Sequence, residues 1–268
     1  MIPTRESGAT HPNRDLRELR PTRGEGNVAW FGRCGMEDGV LLLGGSSLVD
    51  FRLRVAQSQV RGDLTPSYWS LCGLISARDG RFLTVPLQTP DISNVPRTNA
   101  IRELRLSDVD DPVAWPNIGV VRFAGNPGAV LEQANKLHIR RSVIDLPELV
   151  LTWLAYGWAA GSADNPLLRS KGVPSAAFVE TAHALAGIEL TPGLSSASSC
   201  PEAVWQAVKW WREYYEGAVE IAGRGEAQPV VPQGVYGLRQ RSAHVVIRPD
   251  SAAAAAAAAR ARRGGTSA

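Results

Sequence analysis

The residues of this 268-residue chain that could do covalent chemistry are few: three cysteines, four histidines and a serine near the start of a helix. Ser175 stands second in Pro174-Ser175-Ala176-Ala177-Phe178-Val179-Glu180, and Cys72 lies in Ser70-Leu71-Cys72-Gly73-Leu74-Ile75. Either could attack an acyl carbon, but only with a base within hydrogen-bond reach. His183 sits on the same helix as Ser175, two turns on and roughly 12 Å along the axis, too far to take its proton. His244, in Ala243-His244-Val245-Val246-Ile247, is the histidine that a strand could carry to Ser175. His138 precedes Arg140 and Arg141 and reads as a surface residue, and His11 falls in a polar N-terminal stretch. Cys200 begins a helix, whose N-terminal field favours a thiolate, yet its serine-rich surroundings offer no base. The same residues also have plainer readings. Ser175 is a good helix N-cap and Cys72 a good core thiol.

The elements that must position these groups can be read from periodicity and turn chemistry. Residues 39–45 are an apolar run closed by glycines, the pattern of a buried strand. Helical spacing follows over 48–60. The segment 68–75 reads as a second strand, and Asp79-Gly80 turns the chain into a third at 81–87. A proline-bearing connection leads to a strand at 118–123 and, past Gly125-Asn126-Pro127-Gly128, to a helix over 129–137. Further helices are predicted at 149–160, with Pro147 in its first turn, and at 175–186, stopped by Gly187. The last begins near Ser199, where Ser199 and Glu202 could form a capping box. Val204, Val208, Trp211 and Tyr215 share one face of it. Strands at 234–239 and 243–248 would close the fold.

Composition limits the function classes. The net charge of +3 is matched by Arg260, Arg262 and Arg263 of the acid-free C-terminal tail, so the rest of the chain is formally neutral and carries no nucleic-acid footprint. The tail, 251–268, holds eight consecutive alanines and reads as disordered. Residues 1–26 alternate charges with few large apolar side chains, the composition of a flexible arm, and lack the apolar core of a signal peptide. Three cysteines without a CxxC pair suit a reducing compartment, which makes a cytoplasmic location the expectation. No zinc-ligand spacing is present, so neither metal nor other cofactor is expected. The most apolar helix, at 149–160, is too short to span a bilayer.

The segment around Ser175 resembles the Asp-Cys-Ser-Gly-Phe-Val-Gln signature of NlpC-type papain-like hydrolases, and the order of elements resembles their circularly permuted, YiiX-like bacterial branch. In that branch the histidine strand precedes the cysteine helix. The strand at 39–45, the helix after Leu48 and Ser70-Leu71-Cys72-Gly73-Leu74-Ile75 fall in the order expected there, the last in place of a Ser-His-Val-Gly strand. The resemblance implies an α+β fold in which a small antiparallel sheet packs against a helical layer, formed by residues 27–250 as one domain. It puts Leu71 at the histidine position and Ser175 at the cysteine position, with Cys72 pointing to the opposite strand face. Neither equivalent keeps the chemistry, since leucine takes no proton and an unassisted serine is a weak nucleophile.

The expectation is therefore a pseudoenzyme serving as a binding or structural subunit of a protein assembly. Two alternatives stay open: an amidase acting on peptide, peptidoglycan or lipid-amide bonds through Ser175 or Cys72 with His244, and a pocket that holds an acyl or peptide ligand without chemistry. The binding residues expected are aromatic. Tyr68 and Trp69, with Trp153, Tyr156 and Trp158, could line the old cleft, and Trp205, Trp211 and Tyr215, with Trp210 and Tyr214, crowd one helix.

Overall fold

A computed structural model describes residues 16–76, 80–87, 99–139, 145–158, 164–221 and 231–240, with side chains described up to residue 215 in the helix that ends at 221. His244 and the strand expected around it, Asp79 of the expected turn, residues 1–15 and the tail lie outside these residues.

The fold is α+β, and among the described residues it comprises a seven-stranded mixed sheet with six α-helices. In chain order come β1 (Arg17–Glu18), α1 (Asn27–Cys34), β2 (Asp38–Gly44), α2 (Leu48–Ala56), β3 (Leu71–Ser76), β4 (Arg81–Thr84) and β5 (Arg102–Arg105). β6 (Asn117–Arg122), α3 (Pro127–Ile139), α4 (Leu146–Gly157), α5 (Pro174–Leu185), α6 (Pro201–Ile221) and β7 (Gln233–Leu238) follow. Sheet order is β1-β7-β6-β2-β3-β4-β5, and every neighbouring pair is antiparallel except β1 with β7.

The central strand β2 reads as an unbroken apolar run because both of its faces are buried. Val40 and Leu42 face the main core, where Cys72 and Leu74 of β3 meet α3, α4, α5 and α6. Leu41 and Leu43 face a second core with Leu71, Ile75, Phe82 and Trp30 of α1. Buried side chains thus lie on both faces of the sheet, which is seven-stranded and mixed where a small antiparallel sheet against a helical layer was expected.

The flexible arm expected over 1–26 is part of the fold from Leu16 onward. Leu16 is buried against Gly234 and Val121, β1 pairs with β7, and Trp30 Nε1 donates to the Leu19 carbonyl at 2.7 Å. Charged side chains disguise this segment because an edge strand needs only its backbone and alternate residues to pair. β5 escapes sequence reading for the same reason: Arg-Glu-Leu-Arg has no apolar stripe and lies at the other edge.

Three helices match their sequence signals closely. α2 is capped by Ser47, whose Oγ accepts the Asp50 N–H at 3.1 Å, and Leu53 and Val49 supply its buried face. α4 has Asp145 as N-cap and Pro147 in its first turn. α5 ends before Gly187, whose φ of 78° is the left-handed turn that glycine adopts without strain.

Helix α6 starts differently from the expected capping box. Ser199 Oγ donates to Glu180 Oε1 at 2.9 Å, and the Glu202 carboxylate accepts Ser67 Oγ–H at 2.6 Å. Long-range partners took both side chains away from the local cap, because burial of two carboxylates demanded donors from other elements.

Candidate functional site

The start of α5 is held against β3. Pro174 occupies the first helical turn, where its missing N–H costs nothing, and Val173 is the N-cap residue without a side-chain cap. Ser175 is therefore not the N-cap that its type suggests. It is fully buried, its Oγ accepts the Cys72 N–H at 3.3 Å, and Cys72 Sγ lies 3.8 Å from the same oxygen. The other polar group of the Cys72 backbone, its carbonyl, accepts from Thr84 Oγ1 at 2.6 Å.

Leu71 and Cys72 do point to opposite faces of β3, as period-two alternation requires. It is Cys72, however, and not Leu71, the residue expected at a histidine position, whose side chain meets Ser175. Leu71 reaches the same neighbourhood at the open end of the strand, where it and Ser175 both line a cavity of about 350 Å³.

No imidazole among the described residues contacts Ser175. His183 is buried two turns along α5, its ring edge-on to Phe123, with Nδ1 2.8 Å from the Val179 carbonyl. That carbonyl can only accept, so Nδ1 carries the proton and Nε2 is the unprotonated nitrogen of the neutral ring. Burial pushes its pKa down to about 4. Both thiols that could act are shifted the wrong way for a nucleophile. Burial lifts Cys72 far above the ordinary thiol range, against the smaller opposing effect of Ser175, and takes Cys200 to about 12. Cys34 is likewise buried and raised by desolvation.

The cavity opens where β3 begins, β4 ends and helices α2 and α5 start. Its wall is mostly aliphatic, with Trp115 and Leu71 on one side and Val173 on the other. Four polar side chains besides Ser175 reach it: Asp50, Ser70, Arg102 and Asp108. Asp50 is only 7% exposed; burial raises its pKa, and hydrogen bonds from Ser47 and Ser70 act in the opposite sense. Ser47 Oγ donates to Asp50 Oδ2 at 2.6 Å, and Ser70 Oγ accepts the Gly45 N–H at 3.0 Å. Gly45 leaves no room for a side chain, because a Cβ there would collide with the Asp50 carboxylate. These contacts fix the α2 start against β3, so the polar end of the cavity is pre-formed.

Sequence reasoning did not select Asp50, Arg102 or Trp115. The Ser47-x-x-Asp50 spacing carried a capping signal, but nothing local announced that Arg102 and Trp115 would converge with it from a distant edge strand and loop.

The expected aromatic sites divide. Trp69 and Trp205 are core residues, 0% and 2% exposed, with ring centroids 5.1 Å apart, and Trp205 also packs edge-on against Tyr236. They are corrected from binding residues to packing. Tyr68 is half-buried, with the Arg61 guanidinium 4.9 Å over its ring. Trp211 and Tyr215 are half-buried, and Trp211 Nε1 donates to the Leu190 carbonyl at 2.7 Å. The exposed aromatics of α6 are instead Trp210 and Tyr214, at 51% and 57%, stacked with centroids 5.7 Å apart. Helical geometry rotates i and i+4 residues onto one stripe, and it is this stripe, not the Trp211 stripe, that looks outward.

Among the described residues no group of three or more histidine, cysteine, aspartate or glutamate side chains could hold a metal ion, and no helix is long and apolar enough to cross a membrane. The chain matches no protein family model, no curated protein and no solved structure. What the geometry itself defines is an α+β protein with a pre-formed, mostly apolar cavity at the junction of β3, α2 and α5.

Proposed function

We propose that this chain is a non-catalytic papain-like domain of permuted order that works by binding, with the cavity beside Leu71 and Ser175 as its ligand pocket. One observation carries the reading. The hydroxyl in the nucleophile position is buried and engaged with a backbone N–H, while the cavity next to it stays open, with a volume in the range of small-molecule pockets. Among the described residues no base reaches that serine to make it attack. The order of strand, helix, strand and later helix supports the permuted papain-like reading.

The test pairs two measurements on the full chain. A fluorophosphonate probe and iodoacetamide should label neither Ser175 nor Cys72 at neutral pH, whereas labelling of Ser175 that disappears in His244→Ala would establish the amidase instead. Decanol, a neutral amphiphile, should bind the native chain by calorimetry and not bind Leu71→Trp, in which the larger ring fills the cavity. Decanol binding of equal strength in the variant would remove the pocket from the proposal.

A second reading, a subunit of a protein assembly, is favoured by the stacked and exposed Trp210 and Tyr214. Such aromatic pairs on one helix face are the composition of interface hot spots.

A further inference from the structure

The rim of the cavity holds a charge that no described residue neutralises. Arg102, at the start of the edge strand β5, lines the cavity together with Leu104, two residues on and on the same strand face. Its backbone is paired with Thr84, but among the described residues its guanidinium makes no hydrogen bond or ion pair. The other cavity charges are already engaged. Asp108 Oδ2 accepts the Arg105 N–H at 2.8 Å, and Asp50 is held by Ser47 and Ser70. Neither carboxylate reaches Arg102 as an ion pair.

We propose that the pocket takes a medium-length aliphatic carboxylate, its chain among the branched apolar side chains and Trp115, its carboxylate on Arg102. The proposal rests on the pocket reading above and adds the ligand's charge and orientation. A planar guanidinium offers two parallel N–H donors that match a carboxylate's two oxygens, and a half-buried position weakens the competition from water. A single guanidinium balances one negative charge. Asp50 and Asp108 would repel a ligand of higher charge, which favours the carboxylate over a phosphate ester. The apolar wall supplies affinity in proportion to the chain it removes from water, and the arginine decides which end stays at the rim.

Binding of decanoate, decanol and decylamine to the native chain and to Arg102→Gln tests this, by calorimetry at one pH and ionic strength. Decanoate should bind the native chain about tenfold more tightly than decanol, equivalent to about 1.4 kcal/mol. Arg102→Gln should bring decanoate to the level of decanol while leaving decanol unchanged. Arg102→Glu should reverse the preference toward decylamine, a gain that a merely structural role for Arg102 would not produce. Equal binding of decanoate and decanol, or a native preference for decylamine, would overturn the carboxylate assignment while the pocket stands. If none of the three binds, the pocket and its ligand class fall together. Unchanged circular dichroism melts of both variants would show that an edge-strand substitution left the fold intact.

Discussion

The Ser175 hydroxyl accepts the backbone N–H of Cys72 at 3.3 Å, so this buried helix-start serine serves as part of the hydrogen bonding of β3. The pairing of β4 with β3 begins at Gly73 opposite Thr84, one residue beyond Cys72. Two hydroxyls complete the ladder there: Ser175 takes the Cys72 N–H, and Thr84 donates to the Cys72 carbonyl. A buried amide must find an acceptor, and a small hydroxyl at the helix start is one that fits.

Ser175→Ala should consequently destabilise the protein by about 1–2 kcal/mol, since it orphans a buried donor. Urea denaturation followed by tryptophan fluorescence measures the change. An unchanged midpoint would mean that the Cys72 N–H has another acceptor.

Native thiols should be inert. Cys34, Cys72 and Cys200 are all buried, with thiol pKa values raised by desolvation, so the thiolate population at pH 8 is small and access is closed. Mass spectrometry after iodoacetamide treatment should find no carbamidomethyl group on the native chain and three after treatment in guanidinium. Rapid modification of one native cysteine would contradict the packing around it.

His183 should make stability fall with acid. Its folded pKa of about 4 lies below the ordinary value of 6.5, so the unfolded chain binds the proton first. The contribution is fully present above pH 6.5 and is lost as pH drops toward 4, amounting to about 3 kcal/mol over that window. Glu180, Glu202 and Asp50, whose carboxyl pKa values are raised by burial, act in the opposite direction. Comparison with His183→Gln isolates the imidazole: the native chain should lose more stability than the variant between pH 7 and pH 4.5. A proton NMR titration placing the His183 midpoint near 6.5 would refute the argument.

Glu202→Ala should be among the most damaging single substitutions. The carboxylate has no exposed surface, accepts Ser67 Oγ–H at 2.6 Å and Gln206 Nε2–H, and lies 3.7 Å from Arg61 NH1. Its removal leaves those donors facing a void at the start of α6 and should cost about 3 kcal/mol. A guanidinium midpoint within experimental error of the native one would show that the network rearranges freely.

Trp210→Ser and Tyr214→Ser should separate folding from assembly. Both rings stand more than half exposed, so each change should move stability by no more than about 0.5 kcal/mol. Trp205→Ala, by contrast, empties a core site and should cost about 3–5 kcal/mol. If α6 is an assembly surface, the double exposed-face variant should run smaller on multi-angle light scattering than the native chain at the same concentration. Identical masses would remove self-association from the second reading.

The amino-acid sequence by itself determined most of the elements. The apolar run of β2, Pro147 in the first turn of α4, and Gly187 after α5 each have a local physical signature, and each lies within a few residues of where that signature puts it. It also determined that Ser175 starts a helix and that Leu71 and Cys72 oppose one another across β3. Only the tertiary structure decided which of the two meets Ser175, because strand alternation fixes relative faces and leaves open which face a distant helix will cover. The same holds for Ser199 and Glu202, whose local capping pattern yielded to buried partners far away in sequence. β1 and β5 carry charged side chains and gain their structure from neighbours rather than from an apolar stripe. The cavity is the extreme case. Asp50, Leu71, Arg102, Trp115 and Ser175 belong to separate segments, and their convergence depends on long-range pairing that no local periodicity encodes.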